Sequence, residues 1–229
     1  MNTGGAEPAP STIRRYEQFV KLTIIRHGQT PWNLAGRAQG HTDIELDDIG
    51  IQQAAQLAAR FADCRLDHVV TSDLKRASRT AEELARAVQS PMTLEPSLRE
   101  RSFGEWEGQD YSVVRANLTN LGGANWHEAK PPGGESLLDV WVRLDFAVER
   151  IQALSGHIAV VSHGGTCGLL LAKLLGAPIQ SGRSFRFGNT SVTELVRRSD
   201  GGWTLEVYAD ASHLALPSSP MIDATVHRV

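Results

Sequence analysis

The sequence predicts an α/β protein, a three-layer α/β/α sandwich with a mostly parallel central sheet. Short apolar runs typical of buried strands alternate with helical segments along most of the chain. The 229 residues suffice for one such domain with a full core and are slightly few for two. We therefore expect one domain over residues 21–211, with a loose N-terminal tail at 1–20 and a C-terminal tail at 212–229.

Hydrophobic periodicity places the individual elements. Apolar side chains recur at helical spacing in two long segments, for example at Ala54, Ala58 and Phe61, and again at Leu144 and Ile151. The predicted order is a strand at 22–26, a helix at 47–61, a strand at 68–71, a helix with Ser72 as its N-cap, a short edge strand at 92–94, a helix at 135–154, a strand ending at His163, an apolar helix at 168–175, and a hairpin of strands at 191–196 and 203–208.

The segment between Gly104 and Gly134 is the exception to this order. Its periodicity fades, and the pairs Gly122-Gly123 and Pro131-Pro132 interrupt it. We interpret the segment as an insertion or lid over the strand ends.

Composition excludes several classes of protein. A net charge of −3 gives no basic face for nucleic acid, so any affinity for anions must come from a local group of Arg and His side chains. Cys64 and Cys167 lie far apart without metal-ligand spacing, which favours two reduced thiols over a disulfide. The first residues show neither a signal peptide nor a membrane span, so we expect a cytoplasmic protein without a membrane partner. The oligomeric state stays open, and a homodimer is compatible with the sequence.

Two predicted strands end in a histidine followed by glycine. Arg26-His27-Gly28 follows the first strand, and Ser162-His163-Gly164 follows a later one. Ligands of doubly wound sheets bind just beyond the carboxyl ends of neighbouring strands. These strand ends therefore predict a small pocket with two imidazoles and at least one guanidinium, which suits a phosphoryl group.

Phosphate chemistry assigns a task to each of these groups. The guanidinium groups of Arg26 and Arg76 suit a phosphate dianion because their planar forks bind its oxygens bidentately. Gly28 and Gly164 let backbone N–H groups approach the phosphate. An unprotonated His27 can attack phosphorus to form a phosphohistidine, and a charged His163 would stabilise the transition state.

The leaving oxygen needs a proton, and two carboxyl groups compete to supply it. Glu100 is the better candidate general acid, provided that packing in a partly closed site keeps it protonated near neutrality. Glu107 is the second, which the sequence leaves open.

Four motifs in order resemble the histidine phosphatase superfamily, also called the phosphoglycerate mutase-like family. The motifs are RHGQTPWN at residues 26–33, SDLKRASRTA at 72–81, LRERSFG at 98–104 and SHGG at 162–165. The resemblance spans residues 21–196 and implies the phosphoglycerate mutase-like fold. It also implies His27 as the phosphorylated nucleophile, Glu100 as the proton donor, a phosphate pocket of Arg26, Arg76, His163 and Asn33, and phosphate or substrate contacts at Thr30 and Gln39.

The branch of the family follows from what the segment after Glu100 contains. Family mutases carry a Tyr, a paired Arg-Arg and a Lys there that hold the substrate carboxylate and the second phosphate, whereas residues 111–132 offer Arg115 and Lys130 but no Arg-Arg pair. We therefore expect a histidine-type phosphomonoesterase, acid or neutral, that hydrolyses small phosphorylated metabolites without a cofactor or a metal. The alternatives are a 2,3-bisphosphoglycerate-dependent phosphoglycerate mutase and a non-catalytic module that binds phosphorylated ligands.

Several residues near these motifs have simpler explanations. The histidines lack a metal-ligand spacing such as H-E-x-x-H, so no metal site is predicted. We expect Trp32, Trp106 and Trp126 to pack loops rather than bind an aromatic substrate. Arg79 and Arg99 are expected to be solvated or paired outside the site.

Overall fold

A computed structural model describes residues 20–214 of the chain. Nearly all of both predicted tails, at 1–20 and 212–229, therefore lies outside the described residues. Within 20–214 the strands are β1 Val20–Arg26, β2 His68–Thr71, β3 Met92–Leu94, β4 Gly156–Ser162, β5 Val192–Arg197 and β6 Trp203–Asp210. The α-helices of the same residues are α1 Pro31–Leu34, α2 Asp48–Arg60, α3 Lys75–Val88, α4 Tyr111–Gly122, α5 Leu137–Gln152 and α6 Gly164–Leu174.

The strands form one mixed sheet in the order β3-β2-β4-β1-β5-β6. The pairings of β3 with β2, β2 with β4 and β4 with β1 are parallel, whereas β5 runs antiparallel to both β1 and β6. The predicted mostly parallel sheet and the edge position of β3 are confirmed. Because Arg26 is in register with Ser162, β1 and β4 end side by side, as the predicted pocket with two histidines requires.

Helices cover both faces of the sheet, which confirms the three-layer architecture. Successive residues of β1 point to opposite faces, so Ile24 packs in one core and Ile25 in the other. The core around Ile24 includes Leu144 of α5 and Leu170 of α6, while α2 and α3 cover the opposite face. No helix of residues 20–214 is both long and apolar enough to cross a membrane. Cys64 and Cys167 are both free, as predicted.

The start of α3 differs from the prediction. Asp47 caps α2 through a bond from the Gly50 N–H to its Oδ1, but Ser72 does not cap α3, which begins three residues later after Leu74. Ser72 Oγ instead contacts the Nε2 atom of His163 at 2.9 Å. The predicted N-cap role of Ser72 is therefore wrong, because its hydroxyl contacts His163 instead of the first turn of α3.

Residues 104–134 contain an unpredicted helix. Asp110 caps α4 by accepting a hydrogen bond from the Ser112 N–H at 2.8 Å. Val114 is the only buried residue of α4, and it packs with Ala38 and Phe103 in a small separate cluster. With so narrow a buried face, α4 has too weak a periodicity to be recognised from sequence.

Candidate active site

The two strand-end histidines lie together at one end of the sheet, beside a cavity of about 430 Å³. Their ring centroids are 5.1 Å apart, and both side chains are buried. Arg26, Arg76 and Glu100 line the same cavity as His27. The structure thus brings together all five residues that the sequence predicted to be catalytic.

His27 is held in the tautomer that a nucleophile needs. Its Nδ1 lies 2.6 Å from the carbonyl oxygen of Gly28, which can only accept a hydrogen bond, so Nδ1 carries the proton. The Nε2 atom therefore keeps a free lone pair. Burial, and then the positive charges of Arg76 and Arg26, hold the pKa of His27 well below its usual range, so the ring is neutral near pH 7.

His163 is engaged at both ring nitrogens. Arg76 Nε donates to Nδ1 at 3.2 Å, which leaves the proton on Nε2 to be donated to Ser72 Oγ at 2.9 Å. Burial, followed by the charges of Arg76 and the ring of His27, holds the pKa of His163 well below its usual range. The ring of His163 is therefore neutral near pH 7 in this arrangement, and a bound phosphate dianion would raise its pKa. The charge expected on His163 in the transition state stays a prediction.

The two arginines are held by backbone carbonyl groups. Arg76 is buried and donates to the carbonyl oxygens of Thr42 at 3.0 Å and Gly40 at 2.8 Å. Burial lowers the pKa of Arg76 to about 10, so it stays charged at neutral pH. Arg26 Nη1 donates to the Phe187 carbonyl oxygen at 2.7 Å, while its buried Nε has no partner within residues 20–214. That unpartnered donor is suited to an anion.

Glu100 lies at the N-terminus of α6. Its Oε2 accepts from the Gly165 N–H at 3.0 Å, and its Oε1 accepts from the Thr166 N–H at 3.2 Å. The Thr166 hydroxyl donates to the Arg99 carbonyl oxygen at 2.8 Å and lies 3.1 Å from Oε1. The two N–H groups can only donate, so they cannot receive a proton from the carboxyl group. A leaving oxygen of a substrate in the cavity could do so.

Glu107, the second candidate acid, does not line the cavity and is surrounded by hydrogen-bond donors. Its Oε1 accepts from the His41 N–H at 2.9 Å and its Oε2 from the Thr42 N–H at 2.7 Å, and the Thr42 hydroxyl adds a short contact. Burial acts to raise the pKa of Glu107, but the bonds from Thr42, His41 and Phe103 outweigh it and leave the pKa below its usual value. The ionised carboxylate organises the loop whose carbonyl groups hold Arg76.

The remaining predicted binding residues divide into two groups. Asn33, Gln39 and Gly164 line the cavity. Thr30 does not, because its hydroxyl and the Asn33 side chain form a reciprocal cap at the start of α1. The expected phosphate contact of the Gly28 N–H is wrong, since that group already donates to Thr80 Oγ1 at 3.0 Å.

Sequence reasoning missed three of the arginines of the cavity wall. Arg37, Arg183 and Arg186 line it together with Arg115, whereas Lys130 pairs with Asp139 at 2.8 Å. Cationic groups for a second anion are thus present, but most of them lie outside residues 111–132. The sequence signal for Arg183 and Arg186 is the run RSFRFGN at residues 183–189, shortly before β5.

The three tryptophans have different environments. Trp106 packs against the Ala38, Phe103 and Val114 cluster, as predicted. Trp32 and Trp126 both line the cavity, and Trp32 also lies against the backbone at Gly108. That these two side chains pack loops rather than bind a substrate stays a prediction. Within residues 20–214 no group of three or more His, Cys, Asp or Glu side chains is arranged to hold a metal ion.

The fold and this site define a phosphoryl-transfer protein of the α/β class, and comparison with known proteins gives its family. Residues 22–211 match the family model of the histidine phosphatase superfamily (branch 1). A probable phosphoglycerate mutase of Proteus mirabilis is 32% identical over 210 residues, which cover 86% of this chain and 95% of that protein. The chain therefore belongs to the histidine phosphatase superfamily.

Solved structures agree with this assignment. The α-ribazole phosphatase of Shigella flexneri is 30% identical with a TM-score of 0.76, over 83% of this chain and 96% of the other. A mycobacterial glucosyl-3-phosphoglycerate phosphatase is 31% identical with a TM-score of 0.72, over 82% and 98% respectively. The expected enzyme class, a histidine-type phosphatase, is confirmed.

Proposed function

We propose that the protein is a metal-independent phosphomonoesterase that hydrolyses small phosphorylated metabolites through a phosphohistidine on His27. The observation that carries this proposal is the bond from Nδ1 of His27 to the Gly28 carbonyl oxygen, which frees Nε2 for attack on phosphorus. The unpartnered Nε of Arg26 beside the same cavity supports a phosphoryl group as the ligand.

The reaction has two steps whose atoms and charges balance. In the first, the Nε2 lone pair of His27 forms a bond to phosphorus while the bond to the leaving oxygen breaks. That oxygen leaves with the electron pair and takes a proton from the Glu100 carboxyl group. In the second, water attacks phosphorus and gives a proton to the Glu100 carboxylate, and the phosphorus–nitrogen bond breaks to release phosphate and restore His27.

The proton that Glu100 donates enters the cavity with a phosphomonoester that binds as its monoanion. A phosphate dianion and a carboxylate repel each other in one small cavity, so binding a monoester favours the state in which one proton is shared between them. Arg26, Arg76 and the N–H of Gly164 at the start of α6 then face the charge on the equatorial oxygens. The negative charge of the bound phosphoryl group raises the pKa of His163. A proton taken up from solvent at its Nδ1, in place of the hydrogen bond from Arg76, adds a positive charge to that stabilisation.

A phosphoglycerate mutase is the second candidate, and the arginines of the cavity wall favour it. A molecule with two anionic groups could be retained in the cavity while it reorients, held by Arg115, Arg183 and Arg186. A mutase transfers the phosphoryl group from His27 back to a sugar-acid hydroxyl, whereas a phosphatase transfers it to water. Phosphoglycerate interconversion that depends on added 2,3-bisphosphoglycerate, at a rate above that of phosphate release, would identify the mutase.

The first test is hydrolysis of p-nitrophenyl phosphate with excess chelator. We expect activity in the wild type and a loss of at least roughly a thousandfold in His27→Ala, because the nucleophile is removed. His68→Ala is the matched control, since this histidine lies at the start of β2 away from the cavity lining. Wild-type protein that binds phosphate esters without turnover, or activity that the chelator abolishes, would contradict the proposal.

A further inference from the structure

Three arginines of the cavity wall lack the partners that other surface arginines have. The side chains of Arg115, Arg183 and Arg186 are exposed and form no hydrogen bond or ion pair within the described residues 20–214. Elsewhere on the surface, guanidinium groups face carboxylates, as in the pairs Arg60–Asp210, Arg65–Asp67, Arg79–Glu82, Arg86–Glu83 and Arg150–Glu95. We refer to Arg115, Arg183 and Arg186 as the arginine wall.

The charge of the arginine wall is not neutralised by the cavity itself. Of the cavity-lining residues, Glu100 alone is acidic, and its carboxylate already accepts bonds from Gly165 and Thr166. The chain as a whole carries a net charge of −3, so a local excess of positive charge here is not a consequence of composition. Such an excess attracts an anion beyond the one that Arg26 and Arg76 bind.

Trp126 gives one member of the arginine wall a fixed position. The guanidinium carbon of Arg183 lies 4.1 Å from the Trp126 ring centroid, within the range of a cation–π contact. A stacked guanidinium keeps its edge N–H groups free, which is the geometry for binding a planar or tetrahedral anion. The adjoining cavity surface is apolar, formed by Leu118, Phe185 and Phe187.

The Tyr111 hydroxyl supplies a neutral donor near the same charges. The Tyr111 side chain is about half exposed, and its partial burial, followed by the charge of Glu100, raises the pKa of Tyr111, while Arg101, Arg186 and Arg115 act in the opposite direction. The phenol therefore stays protonated at neutral pH and lies close enough to these groups to feel their charges.

We propose that the leaving group of the substrate carries a second anionic group, a carboxylate or a phosphate, which Arg183 and Arg186 bind. The carbon skeleton of the leaving group then lies against Trp126 and the apolar surface. This inference rests on the proposed function, and it defines the substrate class as phosphomonoesters with a remote acidic group.

The test compares three aryl phosphates whose leaving groups have similar intrinsic reactivity because a methylene insulates the ring. They are 4-ethylphenyl phosphate, 4-(carboxymethyl)phenyl phosphate and 4-(phosphonomethyl)phenyl phosphate. We expect wild-type kcat/KM to be about tenfold higher for at least one anionic compound than for the neutral one. Whichever anionic compound is preferred identifies the second group as a carboxylate or a phosphate.

Arg183→Gln should reduce that preference at least about fivefold, whereas Arg86→Gln should leave all three kcat/KM values unchanged. Arg86 is the matched control because it is exposed, pairs with Glu83 and lies in the last turn of α3. Equal wild-type kcat/KM for the three compounds, or an Arg183→Gln variant that keeps the preference, would overturn the inference and leave the phosphatase proposal standing. Failure of wild-type protein to hydrolyse any of the three would overturn the proposed function itself.

Discussion

At the scale of residues, hydrogen bonds decide which of two adjacent histidines can act as a nucleophile. His27 and His163 both follow a strand and precede a glycine, and both rings are buried beside Arg76. Of the two, only His27 has a free ring nitrogen. Its Nδ1–H donates to the Gly28 carbonyl oxygen, so its Nε2 is unprotonated. His163 uses one nitrogen for Arg76 and the other for Ser72. The sequence motifs are nearly symmetric, so this distinction needs the structure.

The role of Glu100 is testable through the leaving group. Glu100→Gln should slow hydrolysis of an alkyl phosphate by roughly 10²–10⁴, because an alkoxide cannot leave without a proton. The same variant should lose less than about tenfold on p-nitrophenyl phosphate, whose nitrophenolate leaves unaided. Steady-state kcat on both substrates measures the difference. Equal losses on the two substrates would remove Glu100 from the acid role.

At the scale of elements, a loop between α1 and α2 positions Arg76. The Glu107 carboxylate holds this loop by accepting hydrogen bonds from the backbone N–H groups of His41 and Thr42. The carbonyl oxygens of Gly40 and Thr42, in the same loop, accept hydrogen bonds from Arg76. A Cβ on Gly40 would lie 2.1 Å from the Glu107 carboxylate, and the φ of Gly40 is +54°, so glycine is required there. Glu107 is thus a positioning residue for the phosphate pocket.

Glu107→Gln should weaken both the fold and the affinity for phosphate. The amide nitrogen would face N–H donors, which should cost about 1–3 kcal/mol of unfolding free energy. Release of the Gly40 and Thr42 carbonyl groups should also raise the inhibition constant of inorganic phosphate severalfold through Arg76. Urea unfolding and phosphate inhibition measure the two effects, with exposed Glu105→Gln as the matched control. Destabilisation with an unchanged inhibition constant would show that Glu107 serves the fold alone.

The antiparallel strand β5 explains what the sequence could and could not predict at this scale. The strands ending at Arg26 and Ser162 were predictable because each is a short apolar run followed by polar residues, and parallel neighbours end at the same edge. Because β5 runs the other way, its beginning rather than its end meets that edge, and the segment before β5 carries Arg183 and Arg186 to the cavity. The rule that ligands bind at carboxyl ends of strands therefore predicts the histidines and not these arginines.

At the scale of the whole molecule, the site buries one charged and two polar side chains that binding requires but folding does not favour. The sheet separates a core against α5 and α6 from one against α2 and α3, and the site lies at the edge where both meet. His27, His163 and Arg76 are buried there with little solvent to screen them. The apolar burial on both faces has to offset the desolvation of these groups.

This arrangement makes the stability of the molecule depend on pH in a defined direction. The pKa values of His27 and His163 are lowered well below the unfolded value of about 6.5, with burial as the first cause for both. Above that pH neither state binds these protons, so the two rings contribute no pH dependence. Below pH 6.5 the unfolded chain binds protons at these two histidines and the folded protein does not. The free energy of unfolding therefore falls as the pH decreases toward the lowered pKa values of the folded protein.

We expect each of the two rings to contribute a slope of at most about 1.4 kcal/mol per pH unit between pH 6.5 and 5, measured by urea unfolding at half-unit steps. His27→Ala should lower the slope by the share of one ring. The slope is the readout because truncation also leaves a cavity, which lowers stability at every pH alike. A His27→Ala slope equal to that of the wild type would mean that His27 takes up a proton in the folded state as readily as in the unfolded one, and would contradict its assignment as a neutral nucleophile.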